Sequence, residues 1–187
     1  MDRWPVEPPL AGTADEQIVG ALERLRATFR WKAGGLDRDG LQTTLGTSTL
    51  TLGGLLKHLA AVESLNIPWE AFHEDPGEPW RSHDWAADPS WPFTSAADDT
   101  PQQLYDLYDR SVVRARQRLA QAMTAGGLDQ LTLAGTSEQP ASLRRMVTDL
   151  IEEYGRHTGH ADLLREAVDG RVGEDPPDDW QPEAAPL

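Results

Sequence analysis

The chain contains no cysteine. That excludes disulfides, thiolate metal ligands and any catalytic or redox thiol of the protein's own. Sulfur chemistry, if it occurs here, must be brought in by a bound small molecule. Basic residues are also scarce: 17 Lys and Arg stand against 31 Asp and Glu, a formal charge of −14. Such a surface repels phosphate backbones, so nucleic acid is not an expected partner. No run approaches the roughly 18 apolar residues that a membrane span needs. The opening MDRWPVEPPLAG lacks the apolar stretch of a secretory signal. The expected location is cytoplasmic, with no membrane partner.

With 187 residues, the chain is long enough to bury a core and is expected to form one domain. The bundle core is expected over about 13–172, with loose Pro-rich and acidic ends at 1–12 and 174–187. Between the ends the spacing predicts four long helices. The first covers about 14–32, with Thr13 as cap and Ile18, Leu22, Leu25 and Phe29 on one stripe. The second covers about 52–66 and buries Leu55, Leu59 and Val62. The third opens on Thr100-Pro101-Gln102-Gln103, a capping box with Pro at the first helical position, and ends at Gly126-Gly127. The fourth runs from Ser142 to Asp169, stopped by Gly170, with Leu143, Met146, Leu150, His157, Ala161 and Leu164 on its inner stripe.

Three connections interrupt the helices. Residues 33–51 are rich in Gly and Thr and are expected to pair as short extended segments. Residues 67–99 hold four of the seven tryptophans, Trp69, Trp80, Trp85 and Trp91. That density points to packing, as a lid or as a contact with a second copy in a homodimer. The third, about 128–141, is polar apart from a brief TLAG. Four amphipathic helices with long crossovers give an all-α four-helix bundle.

The segment EEYGRHTGHADLLRE, 152–166, carries two of the five histidines within one turn. Residues at i, i+4 and i+7 share a helix face, as Glu153, His157 and His160 do, with Asp149 one turn earlier. His157 lies on the apolar stripe, so the face points inward or into a cleft. His58, in LLKHLAAVE, occupies the buried face of the second helix. An inward His on one helix and Glu-x3-His on another form a three-ligand site for a divalent metal, with positions left open for water or substrate. Imidazole and carboxylate donors suit Zn, Ni or Fe. The same residues also fit a hydrogen-bonded core cluster, with Glu153 as a helix charge pairing with Arg156 or Lys57. His73 and His83 receive no role.

The segments TLGGLLKHLAAVE and SLRRMVTDLIEEYGRHTGHADLLREAVDG, with the weaker ALERLRATFRWKAGGLD of the first helix, resemble the DinB-like superfamily. The likeness is to its actinobacterial mini-circle branch, related to mycothiol-dependent maleylpyruvate isomerases and thiol S-transferases, and covers about residues 8–173. It implies a bundle of up-down-down-up arrangement and a metal held by a His on the second helix and two residues four apart on the last. The matching positions are His58, Glu153 and His157. His160 stands where related sequences carry Gln or Asp, which implies contact with a ligand imidazole or with substrate, direct ligation being the alternative. Two departures fall near the pocket. Glu63 is followed by Ser-Leu-Asn-Ile-Pro in place of an aromatic pair, and Arg145 replaces a Trp after SLR.

The resemblance further implies a metal-dependent enzyme that uses a low-molecular-weight thiol such as mycothiol. The reaction would be S-transfer to an electrophile or thiol-assisted isomerisation, the alternative being a non-enzymatic metal- or ligand-binding stress protein. A thiol with pKa near 8.5 is mostly protonated at neutral pH, whereas a coordinating thiol is ionised. In this scheme zinc is the first choice of metal. His160 or Asp149 orients an imidazole or relays a proton. Arg144, Arg145 or Arg156 holds an anionic part of the thiol, a solvated helix arginine being the plain alternative.

Overall fold

The computed structural model describes residues 7–132, 140–177 and 179–181. The outermost parts of both expected loose ends, and most of the TLAG stretch, lie outside the described residues. Four long helices form as their end signals dictate. Helix α1, Ala14–Ala33, starts on Thr13, whose hydroxyl accepts from the Glu16 N–H while Glu16 reaches back to the Thr13 N–H at 2.7 Å. A short helix α2, Arg38–Gln42, follows. Helix α3, Leu52–Ser64, is capped by Thr51 and passes into a π-helical segment, Leu65–Ala71. Pro68 inside that segment has no N–H to give a regular α-helical ladder, and the wider turn accommodates it. The short α4, Trp91–Thr94, precedes α5, Pro101–Gly126, with its Thr100–Gln103 capping box. Helix α6, Leu143–Asp169, is capped by Ser142 and ends on Gly170 at φ 77°.

The expected extended pairing of residues 33–51 is not formed. Asp37 instead accepts from the Gly40 N–H and starts α2, and among the described residues the lone β-bridge joins Leu131 and Ser142. The second helix also differs from expectation: its α-helical part stops at Ser64, and the π-helical turns carry the chain on to Ala71. Gly53 allows α2 to sit close against α3, since a Cβ there would lie 3.0 Å from Gln42 Nε2 and 3.2 Å from the Leu41 carbonyl.

Polar contacts between helices set their directions. Arg144 pairs with Asp15 at 2.9 Å, joining the starts of α6 and α1, and Arg165 donates to the Lys32 and Gly34 carbonyls, joining their ends. These two helices are therefore parallel. Lys57 meets Asp99 at 2.6 Å just before α5, and the Ser64 hydroxyl donates to Ser111 at 3.0 Å, so α3 and α5 are parallel too. Between the pairs, Arg30–Asp109 and Arg116–Glu23 make α1 and α5 antiparallel. The order is up, down, down, up, as the resemblance implies.

The core takes Leu22, Phe29, Leu55, Leu59, Leu119 and Leu150, all buried. Running through it is a polar chain. Arg26 clamps Glu63 with two hydrogen bonds, at 2.7 and 2.6 Å, and also holds Glu23. The Tyr154 hydroxyl donates to Glu63 at 2.7 Å and lies 2.9 Å from that of Tyr108. Burial, with the Glu63 carboxylate second, pushes both tyrosines above their ordinary pKa. Both are therefore neutral, and because Tyr154 gives its one proton to Glu63, Tyr108 must donate to Tyr154.

Candidate metal centre

His58 lies midway along α3, and Glu153 and His157 lie one turn apart in the middle of α6. With the two helices antiparallel and adjacent, their inner faces meet at this level. His58 Nε2 is 3.1 Å from Glu153 Oε2, and His157 Nε2 is 3.3 Å from the same oxygen. One donor atom from each of the three lies within 4.8 Å of the others, a spacing that can close on one ion. The side chains are graded in depth: His157 is 9% exposed, His58 20% and Glu153 39%. The carboxylate thus faces the opening.

Neighbours hold both rings in place. His58 stacks on Phe93 of α4, centroids 4.6 Å apart and planes inclined by 23°. The His157 ring meets His58 edge-on at 4.6 Å. Its Nδ1 lies 3.3 Å from Nδ1 of His160, which leaves Nε2 to face Glu153. Burial lowers the pKa of His58, opposed by Glu153. Burial, followed by the neighbouring His58, lowers His157 to about 4. Both imidazoles are thus neutral at neutral pH, with lone pairs available to a metal. Two neutral imidazoles and a carboxylate, held from two rigid helices, are a chemically suitable donor set for a divalent transition metal.

The pKa of His157 gives the metal-free protein a pH dependence. An unfolded histidine titrates near 6.5, so below that value the unfolded chain takes up a proton that folded His157 refuses until about pH 4. This contribution to stability is present above pH 6.5 and lost as pH falls towards 4. Urea unfolding in chelator is expected to show a midpoint that declines steadily from pH 7 to 4.5. A flat profile would contradict the burial of these rings.

Beside the cluster opens a cavity of about 300 Å³, lined by His58 of α3, by Glu153 of α6 and by residues from these helices and two further segments. Asp149 contributes from α6, Asn66 and Glu70 from the π-helical segment, and Trp85, Pro89 and Pro92 from the long connection before α5. The expected Asp149 is therefore at the cavity, bound to Arg145 at 2.7 Å. Arg144 ties the start of α6 to Asp15 and Asp129 and does not line the cavity. Arg156 is exposed on α6, where its charge helps to lower the pKa of His157. Lys57 pairs with Asp99 and sits over the Trp91 ring at 4.3 Å, away from any pairing with Glu153. His83 stacks on Trp91 and lies 2.8 Å from the Asp88 carbonyl, internal to the connection.

The sequence reading missed Phe93, Asn66, Glu70 and the cavity role of Trp85. The crowding of Trp and Phe among prolines was the available signal that this connection packs. Both departures from the resemblance fall at the cavity: Leu65 and Asn66 line it, and Arg145 holds its Asp149.

Up-down-down-up helices with a His-Glu-His cluster opening on a side cavity define a DinB-like helical-bundle protein with a candidate metal centre. A family model described as Mycothiol-S-transferase matches residues 17–170, and the chain belongs to that family. No curated protein matches the chain. Among the described residues no helix is long and apolar enough to cross a membrane.

Proposed function

We propose that the chain is a metal-dependent S-transferase that joins a low-molecular-weight thiol, mycothiol by family, to an electrophile. The observation that carries the reading is the convergence of His58, Glu153 and His157, 95 residues apart at the widest hydrogen-bonded pair, at the mouth of a cavity. These three residues would hold the divalent metal, with zinc the best match to the donors and nickel or iron accepted by them. When bound, such an ion supplies the charge that ionises a thiol which would otherwise stay protonated at neutral pH.

The chain's own residues do the rest. His160 holds the His157 ring through Nδ1, and Phe93 holds the His58 ring, so neither donor must be ordered when substrate arrives. Trp85, Pro89 and Pro92 give the cavity an apolar wall, beside which charge interactions are stronger than in bulk water. Asp149 stands one turn from Glu153, close enough to take up the thiol proton directly or through a water. Of the three arginines, none lines the cavity, and Arg145 reaches its edge only by pairing with Asp149.

The test is elemental analysis of the purified protein together with conjugation of monochlorobimane to mycothiol. About one divalent metal per chain, and conjugation that stops on chelation and returns on adding metal, are expected. Protein that carries metal but turns over no cellular thiol would instead be a metal-binding protein of the same fold. Protein with neither metal nor turnover would reduce the cluster to a hydrogen-bonded network.

A further inference from the structure

The cavity beside the centre has two unlike ends. Helices α3 and α6 are antiparallel, so moving from His58 towards the end of α3 and from His157 towards the start of α6 is motion in one direction. Along that direction come Glu153, then Asp149 about 6 Å further along the axis. On the facing wall come Asn66 and then Glu70. One end is therefore imidazole and the other carboxylate. No Lys or Arg is among the lining residues.

The carboxylate end is under-compensated. Asp149 has Arg145, and Glu153 faces two histidines. Among the described residues no cation pairs with or hydrogen-bonds to Glu70. Partial desolvation at the rim, then the Asp149 carboxylate, raise its pKa. The Asn66 side-chain oxygen is buried with no donor to satisfy it. Trp85 also lines the cavity, its ring held by its Nε1–H donating to the Trp80 carbonyl at 3.1 Å. An unpaired carboxylate, an idle carbonyl and an anchored indole on one cavity together match a positively charged group on an apolar body.

We propose that the electrophile taken by this cavity is a small organic cation, its ammonium-type group lodged among Glu70, Asp149 and Trp85 with the reacting carbon towards the histidines. Naming that ligand the electrophile rests on the S-transferase reading; the preference for a cation does not. In the transfer the sulfur lone pair forms the C–S bond while the carbon–leaving-group bond breaks, its electron pair departing with the leaving group. The thiol proton leaves by way of Asp149 and passes on to solvent, and no redox change occurs.

Choline and 3,3-dimethylbutan-1-ol have the same shape and differ in a charged nitrogen against a carbon, so they isolate the charge. Titrated into the metal-loaded protein and read by saturation-transfer NMR, choline is expected to bind on the order of tenfold more tightly at low salt. Glu70→Gln, a substitution on the solvent-facing rim, and added salt are each expected to reduce that preference to about twofold. Equal affinity, binding of neither probe, or a preference untouched by Glu70→Gln overturns the proposal. The kinetic arm compares neutral monobromobimane with its trimethylammonio analogue, using mycothiol as thiol, and the cation should lead by a similar factor. Turnover without cation preference overturns this inference alone. Choline selectivity without turnover of either bimane supports the cation site and removes the S-transferase reading.

Discussion

His157→Ala is expected to bring bound metal from about one per chain to near zero and to lower mycothiol conjugation at least about thirtyfold. The lower bound follows from thiol ionisation. With a pKa near 8.5, about 3% of a free thiol is thiolate at pH 7, so loss of activation alone costs about thirtyfold. Loss of positioning adds to that. His157 is the deepest of the three candidate ligands and takes its orientation from His160. His160→Ala is the informative companion. If His160 only steers the His157 ring, metal affinity should drop about tenfold to a hundredfold while the stoichiometry at saturating metal stays at one. Metal analysis after dialysis against graded chelator distinguishes the two variants. Full metal retention by His157→Ala would remove it from the ligand set.

Glu63→Ala is expected to produce the largest loss of stability, about 3–5 kcal/mol, the range for removing one partner of a buried ion pair. Glu63 is 0% exposed and Arg26 1%. The substitution strips Arg26 of two hydrogen bonds and Tyr154 of its acceptor, leaving a buried cation with Glu23 alone. Arg26→Met combined with Glu63→Leu should be less damaging than Glu63→Ala, because it leaves no unpaired charge. Urea unfolding of the three proteins makes the comparison. A double variant as weak as the single one would show that the pair supplies net stability. Tyr154 adjoins Glu153 and Glu63 lies five residues after His58, so the same chain fixes the register of the two helices that carry the candidate ligands.

Helix ends and stripes were legible because their causes are local. Thr13, Thr100, Ser142 and Gly170 act on backbone groups within one turn, and the inner stripe from Leu143 to Leu164 is buried throughout. The trio was legible because His58 and His157 sit on apolar stripes, where a titratable group is out of place, and Glu153 stands one turn before His157. Arg26, Glu63, Lys32 and Arg165 were not. A charged residue on a helix defaults to solvent, and the partners that bury these four lie 37 to 133 residues away. The Asp37 cap of α2 was a local signal, overshadowed by the Gly and Thr around it. Of the cavity wall only Asp149 and the tendency of the Trp-rich connection to pack were legible, since residues 85–92 acquire their place only when the connection folds back over α3.

That folding back follows from topology. Two neighbouring helices that run the same way cannot be joined by a tight turn; the backbone must retrace a full helix length before starting again. Between Ala71 and Pro101 it does so across the mouth of the His-Glu-His cluster, delivering Trp85, Pro89, Pro92 and Phe93 on the way. The return strap is anchored at both ends by the scaffold yet owes its interior sequence to no helical repeat. It is a cassette in which the lining of the cavity can be rewritten by insertion or exchange while the helical frame beneath keeps its geometry.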